Sequence, residues 1–103
     1  MKTTEGIAIA RRLKEILTKK RIPLRDVYLF GSVARGAATD RSDIDIAVVC
    51  DPYREGKHEE NVEFLLASKD IDLRIETVCL HPKDFENKYF TLAQEIKRYG
   101  IPV

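Results

Sequence analysis

Apolar residues at Ile9, Ala10, Leu13, Ile16 and Leu17 recur three, four and seven positions apart. That period predicts an amphipathic helix over residues 5–20, closed by Ile22-Pro23. Val27 to Phe30 reads as a short apolar strand running into a Gly31-Ser32 turn, with a brief helix over Val33 to Ala38. Ile44 to Cys50 is apolar beyond Asp45, as expected for a strand covered on both faces. Asp51-Pro52 ends it, and the polar stretch to His58, with Gly56, reads as a loop. Val62, Leu65 and Leu66 predict a helix over residues 58–68. Ile71, Leu73 and Ile75 alternate with Asp72, Arg74 and Glu76, and the run continues to Leu80, which predicts a third strand with one polar face. Pro82 suits the first turn of a helix, and Leu92, Ala93 and Ile96 predict a further turn or two before Gly100, placed as a C′ glycine. The order is α-β-α-β-α-β-α, a small α/β (α+β) domain with helices flanking a small sheet.

At 103 residues the chain reads as a single domain over 1–103, large enough for one core but with no room for a separate substrate domain. No segment approaches the roughly 20 apolar residues of a membrane span, and the N-terminus lacks a secretory h-region, so the chain reads as cytoplasmic, without a membrane partner. Net charge is +1, but residues 1–25 carry +6 and residues 26–103 carry −5. The first helix is therefore basic, either as a solvated face or as a surface for an anionic partner such as nucleic acid or an acidic protein. The four tyrosines form no basic-aromatic stripe, so nucleic-acid binding has no further support. Tyr89 and Phe90 read as core or contact residues. Cys50 and Cys79 show no CxxC spacing and sit in β-like runs, where cysteine behaves as a small hydrophobe, so neither a disulfide nor a zinc site is expected. His58 and His81, at predicted helix starts, read as surface or capping residues.

The segment with chemistry is residues 31–45. A turn poor in side-chain bulk brings backbone amides against a phosphate, and two carboxylates spaced i, i+2 project from one face of a strand. Asp43 and Asp45 are thus candidate ligands of a hard cation. Arg35 either contacts phosphate or pairs with Asp40 to hold the turn. Ser42 stands directly before the first aspartate, where it caps or orients the turn or adds to the nucleotide site.

Gly31-Ser32-x-x-Arg35-Gly36 followed by Ser42-Asp43-Ile44-Asp45-Ile46 resembles the signature of the polymerase-β-type nucleotidyltransferase superfamily, in particular its minimal single-domain members. The resemblance implies a palm-like fold with a small mixed sheet. It also implies Mg²⁺ as cofactor, two ions about 3.5–4 Å apart on Asp43 and Asp45, with ATP as substrate. Gly31, Ser32, Arg35 and Ser42 would bind nucleotide, and a third carboxylate on the neighbouring strand would bind metal or take the acceptor's proton. Asp72 and Glu76 share strand parity about 13 Å apart, so only one reaches the metals. Glu76 is favoured because it lies in the apolar stretch Ile75 to Leu80, where a charge without a cation is costly. Arg74 reads as the salt-bridge partner of one or both.

Minimal members of this superfamily commonly accompany a HEPN-type toxin, which implies transfer of AMP to a tyrosine hydroxyl of that partner and an antitoxin role. The alternatives are a non-catalytic nucleotide-binding antitoxin that blocks its partner stoichiometrically, and transfer to a small molecule or an RNA end. Homo-oligomerisation through the exposed helices stays open.

Overall fold

The computed structural model describes residues 1–103. Helix α1 (Thr3–Lys19) turns Gly6, Ala10, Leu13 and Leu17 inward; of the predicted stripe, Ala10, Leu13 and Leu17 are buried, and Ile9 and Ile16 are half-buried at its edge. Gly6 is small for a reason: a Cβ there would collide with Val33 Cγ1 and lie 3.0 Å from Leu29 Cδ2. The first turns of α1 therefore press directly on strand β1 (Leu24–Phe30) and on the short helix α2 (Gly31–Ala34). The Thr3 hydroxyl adds a tie by donating to the Val33 carbonyl at 2.8 Å.

Strand β2 (Ile44–Cys50) is followed by helix α3 (Lys57–Lys69), strand β3 (Ile75–Leu80), a 3₁₀ turn (Pro82–Glu86), helix α4 (Thr91–Tyr99) and strand β4 (Ile101–Pro102). The sheet order is β3-β2-β1-β4. Strand β1 runs antiparallel to β2 and β4, whereas β2 and β3 are parallel. The mixed, helix-flanked sheet expected from the sequence is the one observed, with β2 in its interior and buried from Ile46 to Cys50. No helix is long and apolar enough to cross a membrane.

Alternation along β2 splits the core in two. Ile44, Ile46, Val48 and Cys50 join Ile75 and Cys79 under α1 and α3, around the fully buried Phe64. Ala47, Val49 and Leu80 face the other way and pack on Ala93 and Ile96 of α4, with Phe90 at the border. Asp45 shares parity with this second set, so it emerges on the α4 face, opposite the two long helices. Tyr89 is left exposed.

Three expectations are corrected. The brief helix begins at Gly31 and ends at Ala34 instead of spanning 33–38. Residues 71–74 are not strand: the Ile71 and Asp72 amides both donate to the Ser68 carbonyl, continuing the α3 exit as a turn, and β3 starts at Ile75. Gly100 ends α4 in an extended conformation and leads into β4, a two-residue strand that the pattern does not reveal. His81 holds the expected capping position at the start of the 3₁₀ turn, and its ring also turns inward to meet Glu60 at 2.6 Å; His58 is exposed as expected.

Candidate active site

Strand pairing decides which carboxylates meet. In the parallel β2–β3 ladder Asp45 stands opposite Glu76, and in the antiparallel β1–β2 ladder it stands opposite Phe30, the residue before the turn. Three segments thus converge at one end of the sheet: the β1–α2 turn, the start of β2 and the start of β3. Gly31 closes the arrangement. Its φ of +73° suits glycine, and a Cβ at this position would collide with the Asp45 carboxylate.

Burial and the neighbouring charges of Glu76 and Asp43 push the Asp45 carboxyl above the usual carboxylate range, while Arg35 pulls it down. The sense of the shift reports crowded like charges. Asp43 is exposed one position before the strand, and Glu76 is exposed on β3. Asp43 and Glu76 are thus the two like charges near enough to act on Asp45.

Asp72 is paired with Arg74. It lies outside the strand, its carboxylate accepts from the Arg74 guanidinium at 3.1 and 2.8 Å and from the Arg74 amide at 2.9 Å, and these bonds hold its pKa below the usual range. Arg74 accordingly pairs with Asp72 alone. Of the two readings of Arg35, the pair with Asp40 does not form. Arg35 is exposed beside the turn, and its charge acts on Asp45 instead. The Ser42 hydroxyl accepts from the Thr39 amide at 2.8 Å and lies 3.3 Å from the Thr39 hydroxyl, which shapes the 39–42 turn that delivers Asp43.

A cavity of about 380 Å³ opens between the Gly31 turn and α4, lined by Phe30, Gly31, Arg35, Glu95, Ile96 and Tyr99. Glu95 and Tyr99 were not legible as site residues, because no local motif links α4 to a turn 60 positions earlier. Helix α1 packs through its apolar stripe on the side of the sheet opposite Asp45, and its basic residues Arg11, Arg12 and Lys19 are exposed.

The fold is one shared with proteins of the nucleotidyltransferase class. The model of the polymerase beta nucleotidyltransferase family matches residues 11–100, and the chain belongs to that family. A relative from Methanocaldococcus jannaschii, named as a candidate protein adenylyltransferase, is 35% identical over 91 residues, covering 86% of this chain and 88% of the relative. A solved minimal nucleotidyltransferase is 26% identical with a TM-score of 0.68, covering all of this chain and 97% of the other. A nucleotidyltransferase from Sulfolobus solfataricus shares the fold at a TM-score of 0.63 and 23% identity, over 97% of this chain and 80% of that one. So does a chain of the MntA-HpeT toxin-antitoxin complex, at 0.64 and 23%, over 90% and 69%.

Proposed function

We propose that the protein transfers AMP from ATP to a hydroxyl group of another polypeptide, with a tyrosine of a HEPN-type toxin as acceptor, and so acts as an antitoxin. The carrying observation is the register that sets Asp45 beside Glu76, with Asp43 two residues earlier and the Gly31 turn packed against Asp45. The protein adenylyltransferase name of the archaeal relative and the toxin-antitoxin complex among the structural neighbours support the acceptor class.

In this reaction the acceptor oxygen attacks the α-phosphorus, a phosphorus–oxygen bond forms, and the bond from the α-phosphorus to the bridging oxygen breaks to release pyrophosphate. Asp43, Asp45 and Glu76 would hold the divalent cations, which supply charge neutralisation for the entering and leaving oxygens. Gly31 lets the backbone of the turn approach the β- and γ-phosphates closely, and its amides with the Ser32 hydroxyl donate to their oxygens. Arg35 adds a positive charge at the mouth of the cleft, and Ser42 keeps the turn that presents Asp43. Glu76 is exposed on its strand, where its carboxylate can take the proton of the incoming hydroxyl.

The test combines the purified protein, α-labelled ATP, Mg²⁺ and the HEPN-type partner. Label on the partner, lost on Tyr→Phe change of the acceptor and in Asp43→Asn and Asp45→Asn, supports the reading. Neutralisation of the toxin that persists unchanged in those two variants overturns it in favour of stoichiometric blocking, and label on RNA or a small molecule overturns the acceptor.

A further inference from the structure

At the far end of the same strands, on the opposite face, four side chains from separate parts of the chain point at one spot. Cys50 closes β2, Cys79 lies near the end of β3, His81 follows that strand, and Glu60 comes from the first turn of α3. Their ligand atoms all lie within 4.8 Å of one another. Cys50 and Glu60 are fully buried, Cys79 is 7% exposed and the His81 side chain 17%.

We infer that Cys50, Glu60, Cys79 and His81 form a tetrahedral site for a borderline-soft divalent cation of the zinc type, separate from the carboxylates of the cleft. Two sulfurs bound at 2.3 Å to one tetrahedral ion stand about 3.8 Å apart, and the Cys50 and Cys79 Sγ atoms are 3.8 Å apart. Glu60 Oε1 is 3.7 Å from Cys79 Sγ and 2.6 Å from His81 Nε2. Oxygen and nitrogen bound to the same ion stand about 3.3 Å apart, so this last pair opens by under about 1 Å on binding.

The carboxylate is held from behind in the manner of a supported ligand. Glu60 Oε2 accepts the Tyr53 amide at 2.7 Å and the Arg54 amide at 3.3 Å, which leaves Oε1 turned toward the sulfurs. The His81 amide donates to Asp84 at 2.7 Å, fixing the loop that carries the imidazole. A surface cavity of about 270 Å³ lined by Lys57, His58, Asn61, Thr77, Val78 and Cys79 borders the cluster at Cys79. Binding transfers both thiol protons to solvent and requires the imidazole to present an unprotonated Nε2. Thiolate and imidazole donors select zinc or cobalt over Mg²⁺, which prefers oxygen alone. The ion would clamp α3 and the 80–84 loop to the sheet.

Cobalt(II) titration of the reduced, full-length Asp43→Asn/Asp45→Asn variant reports on this site with the cleft's aspartates neutralised. The expected result is one ion per chain, a near-ultraviolet thiolate-to-cobalt band, strong visible absorption of tetrahedral type, and displacement of cobalt by zinc. Cys50→Ser/Cys79→Ser should abolish the band. Should that double variant fail to fold, His81→Gln, at a partly exposed position, should weaken affinity about tenfold or more. Zinc should also raise the melting temperature of the Asp43→Asn/Asp45→Asn variant but not that of the cysteine variant. A weak octahedral spectrum, a band that survives loss of both thiols, His81→Gln binding as tightly as its parent, or reduced protein that takes up no metal overturns the proposal.

Discussion

The carboxylate of Asp45 occupies the space that a side chain on Gly31 would need. The Gly31 turn and Asp45 are therefore packed as one unit. Gly31→Ala adds a methyl at φ +73° and drives it into Asp45. The expected cost is about 1–3 kcal/mol of stability, with nucleotidyl transfer falling at least about a hundredfold as Asp45 is displaced. Chemical denaturation and the labelled-ATP assay check the two together; retained activity would separate turn from cluster.

Asp45→Asn should make the metal-free protein more stable while removing its response to Mg²⁺. Burial with Glu76 and Asp43 nearby raises the folded-state pKa of Asp45, so in the metal-free protein its ionisation opposes folding as pH climbs from the unfolded value, about 3.9, through the raised folded one. Neutral asparagine removes that penalty, a gain of about 0.5–1 kcal/mol at pH 7 for a partly exposed charge. Melting curves with and without Mg²⁺ test this, and a variant that melts lower without metal contradicts it.

Asp72 and Glu76 should separate cleanly. Glu76→Gln is expected to cut transfer by about 10²–10⁴-fold with little effect on folding, whereas Asp72→Asn should leave transfer within about twofold. The Arg74 bonds hold the Asp72 carboxyl below its unfolded value. Its pairing therefore stabilises the fold above about pH 4 and is lost as pH falls through the depressed folded pKa. The Asn variant should be about 0.5–1 kcal/mol less stable at pH 7 and equal to wild type in strong acid. Urea midpoints at pH 7 and pH 2.5 decide it.

Arg35→Ala should raise KM for ATP about five- to tenfold, an effect that shrinks as salt is added. It should also lift the Asp45 pKa further, since Arg35 is the charge that lowers it. Steady-state kinetics at two ionic strengths provides the check.

Much of this architecture is legible in the chain. Strand β2 falls where the unbroken apolar run Ile44 to Cys50 places it, and Ala10, Leu13 and Leu17 of the predicted α1 stripe are buried, because α1 keeps one period over its whole length. Residues 71–74 mislead because their alternation is accidental: the Ser68 carbonyl and the Asp72 side chain take the backbone amides a strand would offer to a neighbour. Strand β4 escapes because two residues cannot show a period. Within the cleft, Asp43 and Asp45 are readable from spacing, but the partnership of Asp45 with Glu76 is a property of register, and register is set by packing along the whole ladder. The Cys50–Glu60–Cys79–His81 cluster is invisible for the same reason, since its members lie up to 31 positions apart and meet only when α3 docks on the sheet.

Strand β3 is outermost in the sheet, and Glu76 rides on it. In the proposed reaction this leaves the flank beyond the third carboxylate without another strand to wall it off. A large folded acceptor could slide its tyrosine in sideways, so the size of the target would be limited by its own contours and not by a tunnel in the enzyme.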